Sequence, residues 1–121
     1  MPDLKLTKSA FKALKKIEKN KRGFCVFLYG FLTKSDFAGK EFKLGINEGF
    51  VARKLKLTTT FGHLRIILVA GVVYDIEIIY DVYFKNVKKD LTQKEKKALD
   101  IFLLNCDEEG FLDTLIDFDR F

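Results

Sequence analysis

The strongest constraint on the fold of this chain is residues 53–89, where polar and apolar side chains alternate with a period of two. That period sends successive side chains to opposite faces of a strand. Arg53-Lys54-Leu55-Lys56-Leu57, a polar turn over 58–62, His63-Leu64-Arg65-Ile66-Ile67-Leu68, and an apolar run ending in Tyr83-Phe84-Lys85-Asn86-Val87-Lys88-Lys89 read as three consecutive strands. In the first strand Leu55 and Leu57 point one way, and Lys54 and Lys56 the other. In the second, His63, Arg65, Ile67 and Val69 share one face and Leu64, Ile66, Leu68 and Ala70 the other, before Gly71 permits a tight reversal. The third, over 72–85, sets Ile76, Ile78, Tyr80, Val82 and Phe84 against Asp75, Glu77, Ile79, Asp81, Tyr83 and Lys85. The stretch thereby divides into a core side (Leu55, Leu57, Leu64, Ile66, Ile76, Ile78, Val82, Phe84) and a polar side (Lys54, Lys56, Arg65, Tyr83, Lys85).

Before this stretch, residues 4–6 fit a short strand, and Thr7 fits the N-cap of a helix running to about Asn20. Ala10, Phe11, Leu14 and Ile17 recur at helical spacing, with Leu6 and Phe11 placed for a hydrophobic staple across the cap. Lys8, Lys12, Lys15, Lys16 and Lys19 fill the outer face, and Gly23 follows as a stop. Residues 24–32 are apolar at nearly every position, so periodicity does not separate a buried strand from a buried helix. Their shortness, Val26 and Gly30 favour a strand. Gly39, Gly45, Gly49 and Asn47 mark a loop with one short strand at 41–44. After the hairpins, Thr92-Gln93-Lys94-Glu95 is a capping box opening a helix to about Asn105, with Ala98, Leu99, Phe102 and Leu103 as its apolar stripe. Gly110 breaks that pattern, and 111–118 reads as a short docking helix. The fold class is therefore α+β: a twisted, mainly antiparallel sheet with a basic N-terminal helix and one or two C-terminal helices packed on it.

At 121 residues, 48% hydrophobic and 32% charged, the chain reads as one soluble domain over 1–121 that buries its own core. Its apolar runs are too short to span a bilayer and no cleavable signal precedes them, so the expectation is a cytoplasmic protein without a membrane partner. Cys25 and Cys106 lack metal-ligand spacing and read as buried free thiols of a reducing compartment. The net charge of +5 hides an uneven layout. Residues 1–104 hold 21 bases and 11 acids, whereas 105–121 form an acidic extension with six acids and Arg120 alone as a base. A basic body points to a polyanionic partner, most simply nucleic acid, although many basic surfaces only solubilise.

Lys54, Lys56 and Arg65 form the sharpest constellation. Two ammonium groups on one strand face and a guanidinium on the next strand can hold a phosphate and stabilise charge developing on a scissile phosphodiester. Spacing alone fits a solvated sheet face as well, because alternating lysines are common on exposed strands. His63, two residues before Arg65, is a candidate general acid or base, because a free imidazole changes charge near neutrality. A lone histidine in a Gly-His-Leu turn is more commonly an exposed or capping residue, which makes it a secondary candidate. Asp75, Glu77 and Asp81 do not converge on one ion from a single strand and are better read as edge charges or partners of lysines. The expectation is no metal and no cofactor. Most of the 13 Phe fall on apolar faces and count as core, leaving Tyr83 as the aromatic placed to meet a base.

Several segments together resemble the RelE/ParE toxin superfamily, including its HigB-like branch. The residues that carry the likeness are Leu4-Lys5-Leu6-Thr7-Lys8-Ser9-Ala10-Phe11-Lys12-Ala13-Leu14, Lys54-Leu55-Lys56-Leu57, Leu64-Arg65-Ile66-Ile67, Val82-Tyr83-Phe84-Lys85-Asn86-Val87-Lys88-Lys89, and the helix start Asp90-Leu91-Thr92-Gln93-Lys94-Glu95. The likeness as a whole covers about 70 to 80 positions. The resemblance implies a RelE-like fold and a metal-independent endoribonuclease that cuts mRNA on the ribosome and is neutralised by a cognate antitoxin protein. By position it implies that Lys54 and Lys56 contact phosphate or ease proton removal, that Arg65 stabilises the pentacovalent phosphate, and that Lys85, with Lys88 or Lys89, is the late basic residue. Tyr83 would stack on a base or relay a proton, and Arg53 would add to RNA binding. The implied alternative is a non-catalytic member of the same fold that inhibits a protein target such as gyrase, or only binds nucleic acid. Two features depart from the family pattern: the acidic extension after Asn105, and strand-like residues where a second helix is usual.

Overall fold

The computed structural model describes residues 3–34, 41–46, 49–88 and 90–118, with side chains described except at 34 and 41–46. The first strand, β1 (Asp3–Leu6), leads through Thr7 into α1 (Lys8–Asn20). The Thr7 hydroxyl accepts the Ala10 N–H at 3.1 Å and donates to the Tyr80 carbonyl at 3.0 Å, so the cap also fastens the helix to the sheet. Leu6 is fully buried, and the partly buried Phe11 packs into the same core cluster, as a staple requires. Gly23 adopts φ +86°, and α2 (Phe24–Lys34) follows.

The strand expected over 24–32 is thus corrected to a helix. Phe24, Cys25, Leu28 and Leu32 are buried while Val26 is 79% exposed, a pattern that a period of 3.6 satisfies and a period of two does not. Its start is capped from a distance. The Glu18 carboxylate accepts the N–H groups of Gly23 at 2.8 Å and Cys25 at 2.9 Å, and these two bonds hold its pKa below the usual range.

The remaining elements are β2 (Glu41–Ile46), β3 (Phe50–Thr59), β4 (Gly62–Gly71), β5 (Ile76–Phe84), α3 (Gln93–Asn105), a 3-10 turn (Leu112–Thr114) and β6 (Ile116–Asp117). Among the described residues they form one six-stranded mixed sheet in the order β2-β3-β4-β5-β1-β6. Its pairings are antiparallel except for β1 beside β5, which is parallel. The third strand begins at Ile76 and not at 72. A side chain at Gly71 would meet the Tyr74 carbonyl at 2.5 Å, so glycine lets the chain fold back there.

Both faces of the sheet are covered. Leu55, Leu57, Leu64, Ile66, Leu68, Ile79, Val82 and Phe84 pack with α1 and α2, while Phe50, Ala52, Ile67, Val69, Ile76, Ile78 and Tyr83 pack with Leu91, Leu99, Leu103 and Cys106. A β-bulge redistributes β5 between them. Ile67 faces Asp81 but the next residue, Leu68, faces Ile79, which leaves Tyr80 as the extra residue. Ile76 and Ile78, expected on one face with Val82 and Phe84, therefore lie on the opposite face from them. The same bulge separates Asp81 from Glu77.

The segment expected as a docking helix over 111–118 is instead the 3-10 turn followed by β6. The acidic extension belongs to the fold as far as it is described: β6 pairs with β1, Lys5 bonds the Asp117 carboxylate, and Phe118 is buried in the cluster under α1 and α2.

Candidate functional site

Directly opposed residues of an antiparallel pair share a face with Cβ atoms about 5 Å apart. Lys56 opposes Arg65, and Arg65 opposes Tyr83, so these three form one row across β3, β4 and β5. The adjoining row on that face is Lys54, Ile67 and Asp81. Toward the hairpin end Thr58 opposes His63, with 3.3 Å between the Thr58 hydroxyl and His63 Nδ1, and the Lys85 N–H donates to the His63 carbonyl at 2.9 Å. The helix α3 and Leu91 cover the other half of the face. Lys56, Thr58 and His63 are exposed, and Arg65 is half-buried.

The segment entering α3 places acids against this end. Lys54 is only 8% exposed, and its ammonium lies 3.2 Å from Asp90. The Asp90 carboxyl sits below its usual pKa because it accepts the Leu91 N–H at 2.8 Å and faces Lys54. Lys88 bridges Asp81, at 3.4 Å, and Glu95, while its ammonium lies 4.8 Å from the centre of the Tyr83 ring. Burial alone would lower the Lys88 pKa, but the Glu95 hydrogen bond and the Asp81 charge carry it upward. Glu95 is correspondingly lowered by Lys88 and by the Thr92 N–H. Glu95 therefore serves twice, as the reciprocal partner of Thr92 in the capping box and as the anchor of Lys88.

Arg65 stands apart from these pairs. Its Nη1 donates to the Leu64 carbonyl at 3.1 Å, and no acid among the described residues forms a salt bridge with it. A guanidinium carries five N–H donors in a planar fork, which suits it to two oxygens of one phosphate. Tyr83 is 7% exposed and its hydroxyl, buried, has no hydrogen-bond partner. Burial and then the Asp90 charge push its pKa up. Its ring is part of the core under α3, with Lys88 over it, so it offers no uncovered face for a base.

The structure thus brings Lys54, Lys56, Arg65, Tyr83 and Lys88 together, with His63 and Lys85 at the rim. Arg53 lies on the other face, opposite Leu68, and Lys89 lies outside the described residues. Asp90, Glu95 and Asp81 complete the site as partners of its lysines. Glu95 was visible only as a capping residue; its bond to Lys88, seven positions away, follows from the turn between β5 and α3. Among the described residues no group of His, Cys, Asp and Glu is placed to hold a metal ion, and no helix is long and apolar enough to cross a membrane. No protein-family model matches this chain, and no curated protein or solved structure matches it significantly.

Proposed function

We propose that this chain is the toxin of a type II toxin–antitoxin pair, a metal-independent endoribonuclease that cuts mRNA on the ribosome and is neutralised by an antitoxin protein covering the basic end of the sheet. The observation that carries this reading is the Lys56–Arg65–Tyr83 row, which sets a guanidinium between an exposed ammonium and a buried aromatic floor. The second helix supports it as well, since α2 follows α1 where the resembled family has one.

In this reading the 2′-hydroxyl of one nucleotide gives its proton to water and attacks the adjacent phosphorus, the P–O5′ bond breaks, and the departing oxygen takes a proton from water, leaving a 2′,3′-cyclic phosphate and a free 5′-hydroxyl. Arg65 binds the phosphoryl oxygens as their charge grows, and Lys56 holds the phosphate and favours loss of the 2′ proton. Lys54 adds positive charge from a position fixed by Asp90.

A second reading has its own observation. Lys54 and Lys88 are ion-paired with Asp90, Asp81 and Glu95, which reduces the positive charge available to RNA and favours a non-catalytic protein of this shape. Purified protein in a reconstituted translation system distinguishes the two. Ribosome-dependent cleavage of message, reduced roughly 100- to 1,000-fold in Arg65→Ala, supports the nuclease. Translation slowed without cleavage supports the second reading, and neither effect removes both.

A further inference from the structure

Five of the thirteen residues of α1 are lysines: Lys8, Lys12, Lys15, Lys16 and Lys19. At about 100° per residue they fall within an arc of about 100° on the helix circumference, and Ala10, Leu14 and Ile17 fall on the opposite side. Ala10 and Leu14 are fully buried, while all five lysines are exposed. From Lys8 to Lys19 the stripe is about 16 Å long, at a rise of about 1.5 Å per residue.

None of the five forms a salt bridge among the described residues, whereas Lys5, Lys54 and Lys88 each meet a carboxylate. Lys15 only lies over the ring of Phe11, on the same helix, at 4.5 Å from its centre. The one acid of α1, Glu18, is occupied elsewhere, since its carboxylate accepts the N–H groups of Gly23 and Cys25. This layout works against the helix. Lys8 and Lys12, Lys12 and Lys16, and Lys15 and Lys19 stand four apart, where like charges repel. The first turn holds Lys8 and no acid, at the positive end of the helix dipole. A stripe that weakens its own helix and meets no acid in its own chain takes its counter-charge from a partner.

We infer that the lysine stripe of α1 docks the phosphate backbone of double-stranded nucleic acid, on the sheet face opposite to the Lys56–Arg65–Tyr83 row. No large apolar side chain of α1 is exposed, so the helix has nothing to bury in a bilayer or at the centre of a protein interface. Nor does the lysine arc hold a ring on which an unpaired base could stack. It offers flexible point charges alone, and a duplex presents phosphates outside with its bases turned inward. The length fits as well: about 16 Å reaches the phosphates on both sides of a major groove about 12 Å wide. The inference is independent of the nuclease reading, because the two cationic sites lie on different faces of the sheet.

The test is binding of the full chain to short RNA and DNA duplexes of one sequence, read by fluorescence anisotropy over a series of salt concentrations. One variant carries Lys8→Gln, Lys12→Gln and Lys19→Gln, which keep helix propensity and remove charge from the middle of the stripe. A comparison variant removes the same charge from α3 through Lys94→Gln, Lys96→Gln and Lys97→Gln, all at exposed positions. The α1 variant is expected to bind DNA roughly tenfold or more weakly, with a salt slope reduced by roughly 2 to 3, and the α3 variant to stay close to wild type. Binding of either duplex with this dependence supports the site, and the two arms identify which one it takes. Equal losses in the two variants, or duplex binding that the α1 variant keeps, overturn the inference. Tighter binding of the single strand than of the duplex overturns the choice of a duplex. Vesicles of phosphatidylserine and phosphatidylcholine form the last arm: α1-dependent binding to them without duplex binding overturns the inference in favour of a membrane surface. Failure of the nuclease in the translation test leaves this site standing.

Discussion

Tyr83 forms part of the buried floor of the candidate site. Its ring fills the space beneath Lys88 and beside Leu91, and its hydroxyl is buried without a partner. An unpaired buried hydroxyl costs stability, so Tyr83→Phe is expected to leave the protein as stable or about 1 kcal/mol more stable, read as a denaturant midpoint. A floor role also leaves RNA cleavage within a few-fold of wild type, whereas a proton relay would show as a loss of roughly 100-fold or more. Alternation made the row legible in the sequence, since Lys56, Arg65 and Tyr83 each stand at the parity that the register confirms. Tyr83's burial was not legible, because it depends on α3 returning over that face. The thiols were legible as buried groups, and burial pushes Cys25 up to about 11 and Cys106 to about 12, keeping both un-ionised at neutral pH.

Among the elements, α3 controls the site because its start carries the acids that hold the lysines. Thr92 accepts the Glu95 N–H at 3.2 Å, and the Glu95 carboxylate bonds both the Thr92 N–H and Lys88. Thr92→Ala is expected to cost about 1 kcal/mol of stability, measured by thermal or denaturant unfolding. The folded pKa of Glu95 is lowered, so its contribution is present above the ordinary carboxyl value of 4.5 and is lost as pH falls through the folded value. For Lys88 the folded pKa is raised, so its contribution is full below 10.5 and is lost as pH rises past the folded value. Between about pH 5 and 10 the clamp is intact, and Lys88→Met should flatten the stability profile at both ends of that window. The caps of α1 and α3 were readable because they join residues three or four apart. The α2 helix was not, because it is apolar on almost every side and its cap, Glu18, belongs to the preceding helix. Nor was the bulge at Tyr80, which exists only in the pairing of β4 with β5.

At the scale of the whole molecule, the strand order decides which charges meet. β3 lies near one edge of the sheet and β6 at the other, so β6 is separated from Lys54 and Lys56 by β4, β5 and β1, whereas the extension begins on the β3 side, with Cys106 packed beside Phe50 and Asp107 against Gly49. Asp90, in the turn before α3, reaches Lys54, and Glu95, in the first turn of α3, reaches Lys88. The α+β class and the mainly antiparallel sheet were legible from the periodicities; the parallel insertion of β1 between β5 and β6 was not, since nothing local specifies it. If this end of the sheet cuts translated message, as proposed, mapping mRNA 5′ ends after induced expression detects it most directly. New ends inside translated frames, carrying 5′-hydroxyls and absent with a Lys54, Lys56 and Arg65 triple alanine variant, are the predicted result. An unchanged map of 5′ ends from cells producing the wild-type protein would contradict it.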